Sequence, residues 1–293
     1  MLTLVVQQGI NGLVLGSLYV LVAVGLTLIY GVLVQINFAH ADFVTLGAFA
    51  AFFVTAATGN YLLGIAAALV VGAALGWLVN AAIFGPLRRQ GSNELRPLIA
   101  TIGVSIMLEN AGLAIFGPVP YAFDTPYSSQ VIRVGPIFFS AQSVLILIVS
   151  TFAIGALYAF LRFTFAGKAL RAISQDRETA GLMGIDPNRL IALTFVIGSA
   201  LAGVGGAMLG PVLVLTPFAG ASVIVKAFAI VIIGGFGNVD GTIVAGLLVG
   251  LIEAFTTQIL DPGLIDIVVF GLLLATLAVR PTGLIAERRE ENV

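Results

Sequence analysis

Cysteine is absent from this chain of 293 residues, which excludes disulfides, thiolate metal sites and cysteine nucleophiles. Charge is scarce. Asp, Glu, Lys and Arg make up 9% of the residues against 59% hydrophobic, whereas a soluble domain carries about a quarter charged. Too little polar side chain is present to cover a globule in water, so lipid is the solvent this composition requires. The net charge of −1 leaves no electrostatic footprint for nucleic acid. Histidine occurs once, at His40. A metal site needs several ligands, and a serine–histidine site needs a serine beside it in strained geometry, so His40 is read as a hydrogen-bonded side chain. The P-loop pattern is missing too: Gly167-Lys168 is followed by Ala169 and lacks the upstream glycine, so ATP phosphates are not cradled by that route. Met1 to Leu4 carries no basic residue and the first apolar stretch is long, so no cleavable signal peptide is expected.

Apolar runs dominate what is there. A spanning helix needs about 20 such residues. Suitable stretches are Val5–Tyr30, Phe43–Thr58, Tyr61–Phe84, Pro97–Gly117, Ser143–Leu161, Leu190–Leu215, a divided region Ser222–Thr257, and Leu264–Val279. The expected fold is an all-α, polytopic transmembrane bundle of eight spans, or nine if the divided region crosses twice, forming one domain over residues 1–293. Glycine is abundant, at 35 residues, and the pairs Gly12/Gly16, Gly72/Gly76, Gly206/Gly210 and Gly246/Gly250 are spaced for close helix packing.

Eleven of the thirteen basic residues fall in three connecting segments: Arg88, Arg89 and Arg96; Arg162, Lys168, Arg171, Arg177 and Arg189; and Arg280, Arg288 and Arg289. The positive-inside rule makes all three cytoplasmic. Residues 162–189 and the tail 280–293 are therefore expected inside. Residues 118–142, which hold only Arg133 among much Pro and Tyr, are expected outside as a cap. Counting back from Arg88 places the N-terminus outside.

Two stretches interrupt the apolar pattern. Gln35 to Asp42 holds Asn37, Phe38, His40 and Asp42 between runs too close for an ordinary loop. Gly234 to Thr242 holds Gly234, Gly235, Gly237 and Asn238. Non-helical backbone at membrane depth must be buried in protein or line a wet cavity, and paired breaks in two halves of a chain point to a transporter's substrate path. The plainer alternative is two cytoplasmic turns. Other polar groups inside spans include Glu109, Asn110, Lys226 and Glu253. Glu109 and Asn110 are expected to bond a neighbouring helix rather than solute. Lys226 is expected to snorkel, and Glu253 is open to either role.

Gly167–Gly184 reads as a short amphipathic helix below the membrane. Its apolar stripe is Ala169, Ala172, Ile173, Ala180, Leu182 and Met183; Gly184 is the stop, and Asp186-Pro187 cap the next span. Its mixed charges suit a protein groove better than an anionic membrane, the alternative being a helix resting on lipid.

These motifs carry a resemblance. Gly25–Phe49, Leu98–Asn110, Gly167–Gly203, Val225–Gly250 and Arg280–Leu284 together resemble the branched-chain amino acid permeases of ATP-binding-cassette importers, in the shorter of their two permease types, over essentially the full chain. Ala41-Asp42 stands where a Gly-Glu pair is usual, keeping the acid one methylene shorter. The resemblance implies a second related permease subunit, two cytoplasmic ATPase subunits that hold the ATP, an extracytoplasmic solute-binding protein, and residence in the bacterial cytoplasmic membrane. It implies that Arg171, Asp176, Ala180 and Gly184 serve ATPase coupling, and that the two breaks match family signatures. No cofactor is expected on this chain and no bond-making chemistry. The expected function is inward movement of branched-chain amino acids or similar solutes by alternating access, with urea or short amides the alternative cargo. An ion-coupled transporter would need Asp42, Glu109 and Glu253 as ion sites and would leave the cytoplasmic helix idle. An intramembrane enzyme would lack a nucleophile, base or metal set.

Overall fold

The computed structural model describes residues 2–89, 95–260 and 262–285. Arg288 and Arg289, expected in the tail, lie outside the described residues. Among those described, twelve α-helices and one hairpin follow in order. They are α1 (Leu2–Leu33), α2 (His40–Thr58), α3 (Tyr61–Val79), α4 (Gly85–Arg89), α5 (Leu95–Phe116), β1 (Val131–Val134), β2 (Ile137–Ser140), α6 (Ala141–Phe163), α7 (Phe165–Gln175), α8 (Arg177–Leu182), α9 (Pro187–Leu209), α10 (Ala219–Gly234), α11 (Val239–Ile259) and α12 (Ile265–Val279). Seven are long and apolar enough to cross a membrane, one of them α3 continued through a π-helical turn into α4; α10 and α12 are apolar but shorter. The divided region is therefore two helices.

α1 and α9 form the centre. α1 lies along α11 and α9, while α2 and α3 clasp α9 from its other side. Helices in lipid gain little from apolar contact alone, so close backbone approach has to hold them together. Glycine supplies it. A Cβ on Gly12 or Gly16 would strike the α11 backbone at Leu251 or Leu247, and one on Gly250 would strike Gly16. Gly72 and Gly76 of α3 meet Ser199 of α9 in the same way. Gly210 departs from the expected pairing: it faces the Phe123 ring, because α9 has already ended at Leu209.

Gly206 is the tightest of these positions, its missing Cβ being occupied by the Val44 carbonyl of α2. Gly206→Val should force α2 from α9 and cost about 1–3 kcal/mol or more. Gly181→Ala, with nothing within 4 Å, should stay within about 0.5 kcal/mol of the parent. Thermal unfolding of the two variants in detergent checks the contrast; equal midpoints would mean that α2 and α9 do not touch there.

Residues 118–140 close one end of the bundle. β1 and β2 pair antiparallel from Val131↔Ser140 to Val134↔Ile137, a small exception to an all-α chain. Phe138 exchanges two hydrogen bonds with the Gln7 side chain near the start of α1, at 2.7 and 3.1 Å. Tyr61 donates to the Ala207 carbonyl at 2.7 Å and receives from Gln142 at 3.1 Å, tying α3, α9 and α6 together at this end. At the opposite end Phe84 packs on Phe195 at 4.7 Å, and the Leu284 amide donates to Ile233 at 2.7 Å. Arg88, the α7–α8 segment and Arg280 thus share one end.

Candidate functional site

The first interruption begins where α1 stops. Val34, at φ 56, occupies left-handed backbone that a β-branched residue rarely adopts. Its amide still bonds the Tyr30 carbonyl at 2.7 Å. The chain then turns back alongside α1, and α2 starts at His40, whose Nε2 lies 3.2 Å from the Val22 carbonyl. Val22 precedes the end of α1 by eleven residues, so α2 begins about 16 Å up that helix. This is a helix N-terminus deep in the bundle.

Its polar groups are buried and under-satisfied. Asn37 and His40 are fully buried and Asp42 is 3% exposed. Both amide atoms of Asn37, Nδ1 of His40, Oδ2 of Asp42 and Oε1 of Gln35 have no hydrogen-bond partner among the described residues. Each such group costs about 1–3 kcal/mol in a dry interior.

α5 forms the facing wall. Thr101 Oγ1 receives the Phe38 amide at 3.3 Å, and Asp42 faces Ser105 and Glu109. Those three α5 residues are spaced i, i+4, i+8, which puts them on one stripe. Above them Phe116 stacks on Phe49 at 4.0 Å and closes the seam with apolar contact. Asn110 corrects an expectation: it is exposed and donates to the Ile106 carbonyl of its own helix at 2.7 Å, not to a neighbouring helix. An exposed amide adds a bond to the carbonyl one turn back in its own helix before it can reach across a loosely packed seam.

A second deep helix start lies beside the first, and the apolar pattern concealed it. The expected span through Leu215 ends instead at Leu209; residues 210–218 run irregularly and α10 starts at Ala219. The Gly220 amide donates to Thr45 Oγ1 at 2.9 Å, so the starts of α2 and α10 meet, and Phe38 lies 5.4 Å from Phe228. Gly210-Pro211 and Pro217 were the sequence signals for this interruption.

Gly234, Gly235, Gly237 and Asn238 are placed elsewhere. Gly237 lies against Gly31, about 14 Å along α1 from Val22, at the α7 end. They build a tight turn: Gly235 and Gly237 take φ of 104 and 81, and the Asn238 side chain accepts from the Gly241 amide at 2.9 Å as the cap of α11. The segment after α12 covers the turn, with Ile285 N on the Gly234 carbonyl at 3.3 Å and Asn238 Nδ2 on the Ile285 carbonyl at 3.1 Å. The two interruptions therefore do not meet. The first is deep; the second is a satisfied turn at one end.

Lys226 does not snorkel. Its Nζ lies 2.8 Å from Glu253 Oε1, 3.3 Å from the Tyr19 hydroxyl and 3.7 Å from Asp266, so it joins α10 to α1, α11 and α12. Glu253 is its ion-pair partner.

The expected single helix Gly167–Gly184 is two. Asp176 has extended backbone and its carboxylate accepts from the amides of Glu178 and Thr179 at 2.9 and 3.1 Å, starting α8 afresh. The hydrogen bond from the Thr179 hydroxyl, followed by that from its amide, holds this exposed carboxyl below its ordinary range. The cap is thus present above the usual carboxylate pKa and is lost only as pH falls through the depressed value. Gly184, at φ 83, closes α8: its amide bonds Gly181 at 3.0 Å and that of Ile185 bonds Ala180 at 3.2 Å. Ala169, Ile173 and Ala180 are buried against the bundle, whereas Leu182 and Met183 are 88% and 80% exposed. Ala180 therefore faces inward and cannot touch a partner directly. Arg171 and Asp176 are exposed.

Comparison with known proteins bears on these features. Residues 9–277 match the family model described as branched-chain amino acid transport system / permease component. The chain is 36% identical to the high-affinity branched-chain amino acid transport system permease protein LivH of Escherichia coli, over 98% of this chain and 97% of that one. It is 35% identical to BraD of Pseudomonas aeruginosa, of the same description, with the same coverage. A probable branched-chain amino acid transport permease protein of Methanocaldococcus jannaschii is 28% identical over 94% of this chain. No solved structure matches significantly.

Proposed function

We propose, from the premise that this chain belongs to the branched-chain amino acid permease family, that it is the membrane-spanning permease subunit of an ATP-driven importer of branched-chain amino acids. The single observation that carries the solute site is the buried, under-satisfied polar cluster at the start of α2. Two helix starts meet there, and helix N-termini favour a carboxylate. Asp42, with Ser105 and Glu109 opposite, suits an ammonium group. Phe38, Phe43 and Phe228 supply an aliphatic side chain with apolar contact.

A solute-binding protein delivers cargo at the hairpin end, and two ATPase subunits bind ATP and pull on α7 and α8 at the basic end. A second permease subunit completes the route. The basic end faces the cytoplasm of a bacterial cell and the start of α1 faces outward, in keeping with positive-inside charge placement. The chain itself holds no cofactor and performs no chemistry; it alternates between two accessible states.

Reconstitution tests this. The chain alone in vesicles should move no leucine, while the full complex with ATP and binding protein should accumulate it. Asp42→Ala should reduce uptake about ten- to a hundredfold, the loss of one charge-assisted hydrogen bond in a dry site. Asp42→Asn, which keeps the shape, should lose ammonium recognition without losing membrane insertion. Undiminished leucine uptake in both variants would remove the solute from this site.

A further inference from the structure

At the end that carries α7, a cleft of about 370 Å³ opens between α1, α6, α7 and the α10–α11 turn. That volume is within the range of small-molecule sites. Its apolar lining comes from Leu28 and Leu170, both buried, with Val32 and Leu161 half-buried beside them. Its charged groups are of both signs. Arg162 and Arg171 stand on α6 and α7, and Asp240 stands in the first turn of α11. Arg162 is pinned by the Tyr158 hydroxyl, to which its Nη1 donates, with the guanidinium 5.7 Å from that ring.

Two guanidinium groups and one carboxylate around an aliphatic lining describe the complement of a short aliphatic zwitterion. The carboxylate of such a molecule pairs with arginine in fork geometry, its ammonium pairs with Asp240, and its hydrocarbon covers Val32 and Leu161. The cleft shares no lining residue with the α2–α5 seam: its α1 wall, Thr27 to Val32, lies about 8 to 15 Å along that helix from the level of His40. Its walls belong to two elements with different attachments: α7, which leads into the exposed α8, and the α10–α11 turn, which the segment after α12 covers. A molecule bridging them fixes one against the other.

We infer that this cleft is a second solute site, which takes a branched-chain amino acid from the α7 side and, when filled, holds α7 and the α10–α11 turn in one relative position so that import slows. The site rests on the proposed function for which solute it meets and which side it faces. It makes the importer respond to its own product.

The test uses the complete importer in vesicles with ATP enclosed and binding protein outside, loaded internally with leucine or left empty. Loaded leucine should slow initial uptake about fivefold or more. Internal isovalerate, which lacks the ammonium, and isoamylamine, which lacks the carboxylate, should not. Arg162→Gln and Asp240→Asn should each abolish the slowing while uptake into empty vesicles stays at the parent rate, and either variant alone suffices. Slowing that persists in both variants, or that follows the anionic lipid content of the vesicles and not leucine, overturns the inference. No uptake into empty vesicles would instead overturn the proposed function.

Discussion

Replacing Leu182 and Met183 together by aspartate is expected to abolish ATP-driven uptake while the subunit stays folded in the membrane. The pair is 88% and 80% exposed at the end of α8, on a turn fixed by Gly184 and by two backbone hydrogen bonds. Nothing in the bundle depends on these side chains, so stability should move by no more than about 0.5 kcal/mol. If they insert into an ATPase groove, each contributes about 1.5–3 kcal/mol, and losing both weakens docking by at least a hundredfold. Co-purification of the proposed ATPase subunits measures the docking, and ATPase activity without uptake measures the uncoupling. Ala180→Trp, by contrast, should act through misfolding of α8, because Ala180 is 5% exposed and packed inward. Retained ATPase binding by the double aspartate variant would place the docking surface elsewhere.

The second large effect concerns Lys226. With its ammonium 2.8 Å from Glu253, the pair crosses from α10 to α11, and the side chains are 17% and 9% exposed. Lys226→Met leaves the Glu253 carboxylate with the Tyr19 hydroxyl but no cation, and breaking a buried pair from one side costs about 3–5 kcal/mol. Adding Glu253→Leu removes the stranded charge and should restore most of that loss, since apolar replacements of buried pairs are commonly neutral. Thermal unfolding of the single and double variants in detergent measures this. The double variant also separates two mechanisms: an ion-coupled transporter that used Glu253 would stop, whereas an ATP-driven one keeps working once refolded. A single Lys226→Met variant as stable as the parent would show the pair to be idle.

How far the sequence could be read depended on where water was. The α7 stripe was legible because one side of that helix is polar, so period and facing coincide. It misled past Asp176, where Ala180, Leu182 and Met183 were counted on the same face. Asp176 caps a new helix and resets the phase, turning the last two outward. Asp186-Pro187 and Gly184 were readable as caps because their chemistry is local. In the membrane helices the pattern is apolar all round, and facing carries no signal. Hence the residue types at the start of α2 were recognisable, but the α5 stripe of Thr101, Ser105 and Glu109 that meets them was not. Hence too the interruption at residues 210–218 was absorbed into a span. Only Gly210-Pro211 and Pro217 marked it, against a background in which α9 and α10 are both apolar. Gly234 to Asn238 looked like the first break by composition, yet its polar groups close on the chain itself.

The central place of α1 has a consequence for how the molecule is made. This helix emerges well before the neighbours that surround it, α9 and α11, which are the ninth and eleventh helices among the described residues. At about 5–20 residues per second, on the order of ten to forty seconds pass before α11 leaves the ribosome. During that interval α1 must wait in lipid, which its lack of any charged residue from Leu2 to Leu33 permits. Birth order and packing order thus run opposite ways, and the oiliness that hides the facing of α1 in the sequence is what keeps the nascent chain soluble in the bilayer until its partners arrive.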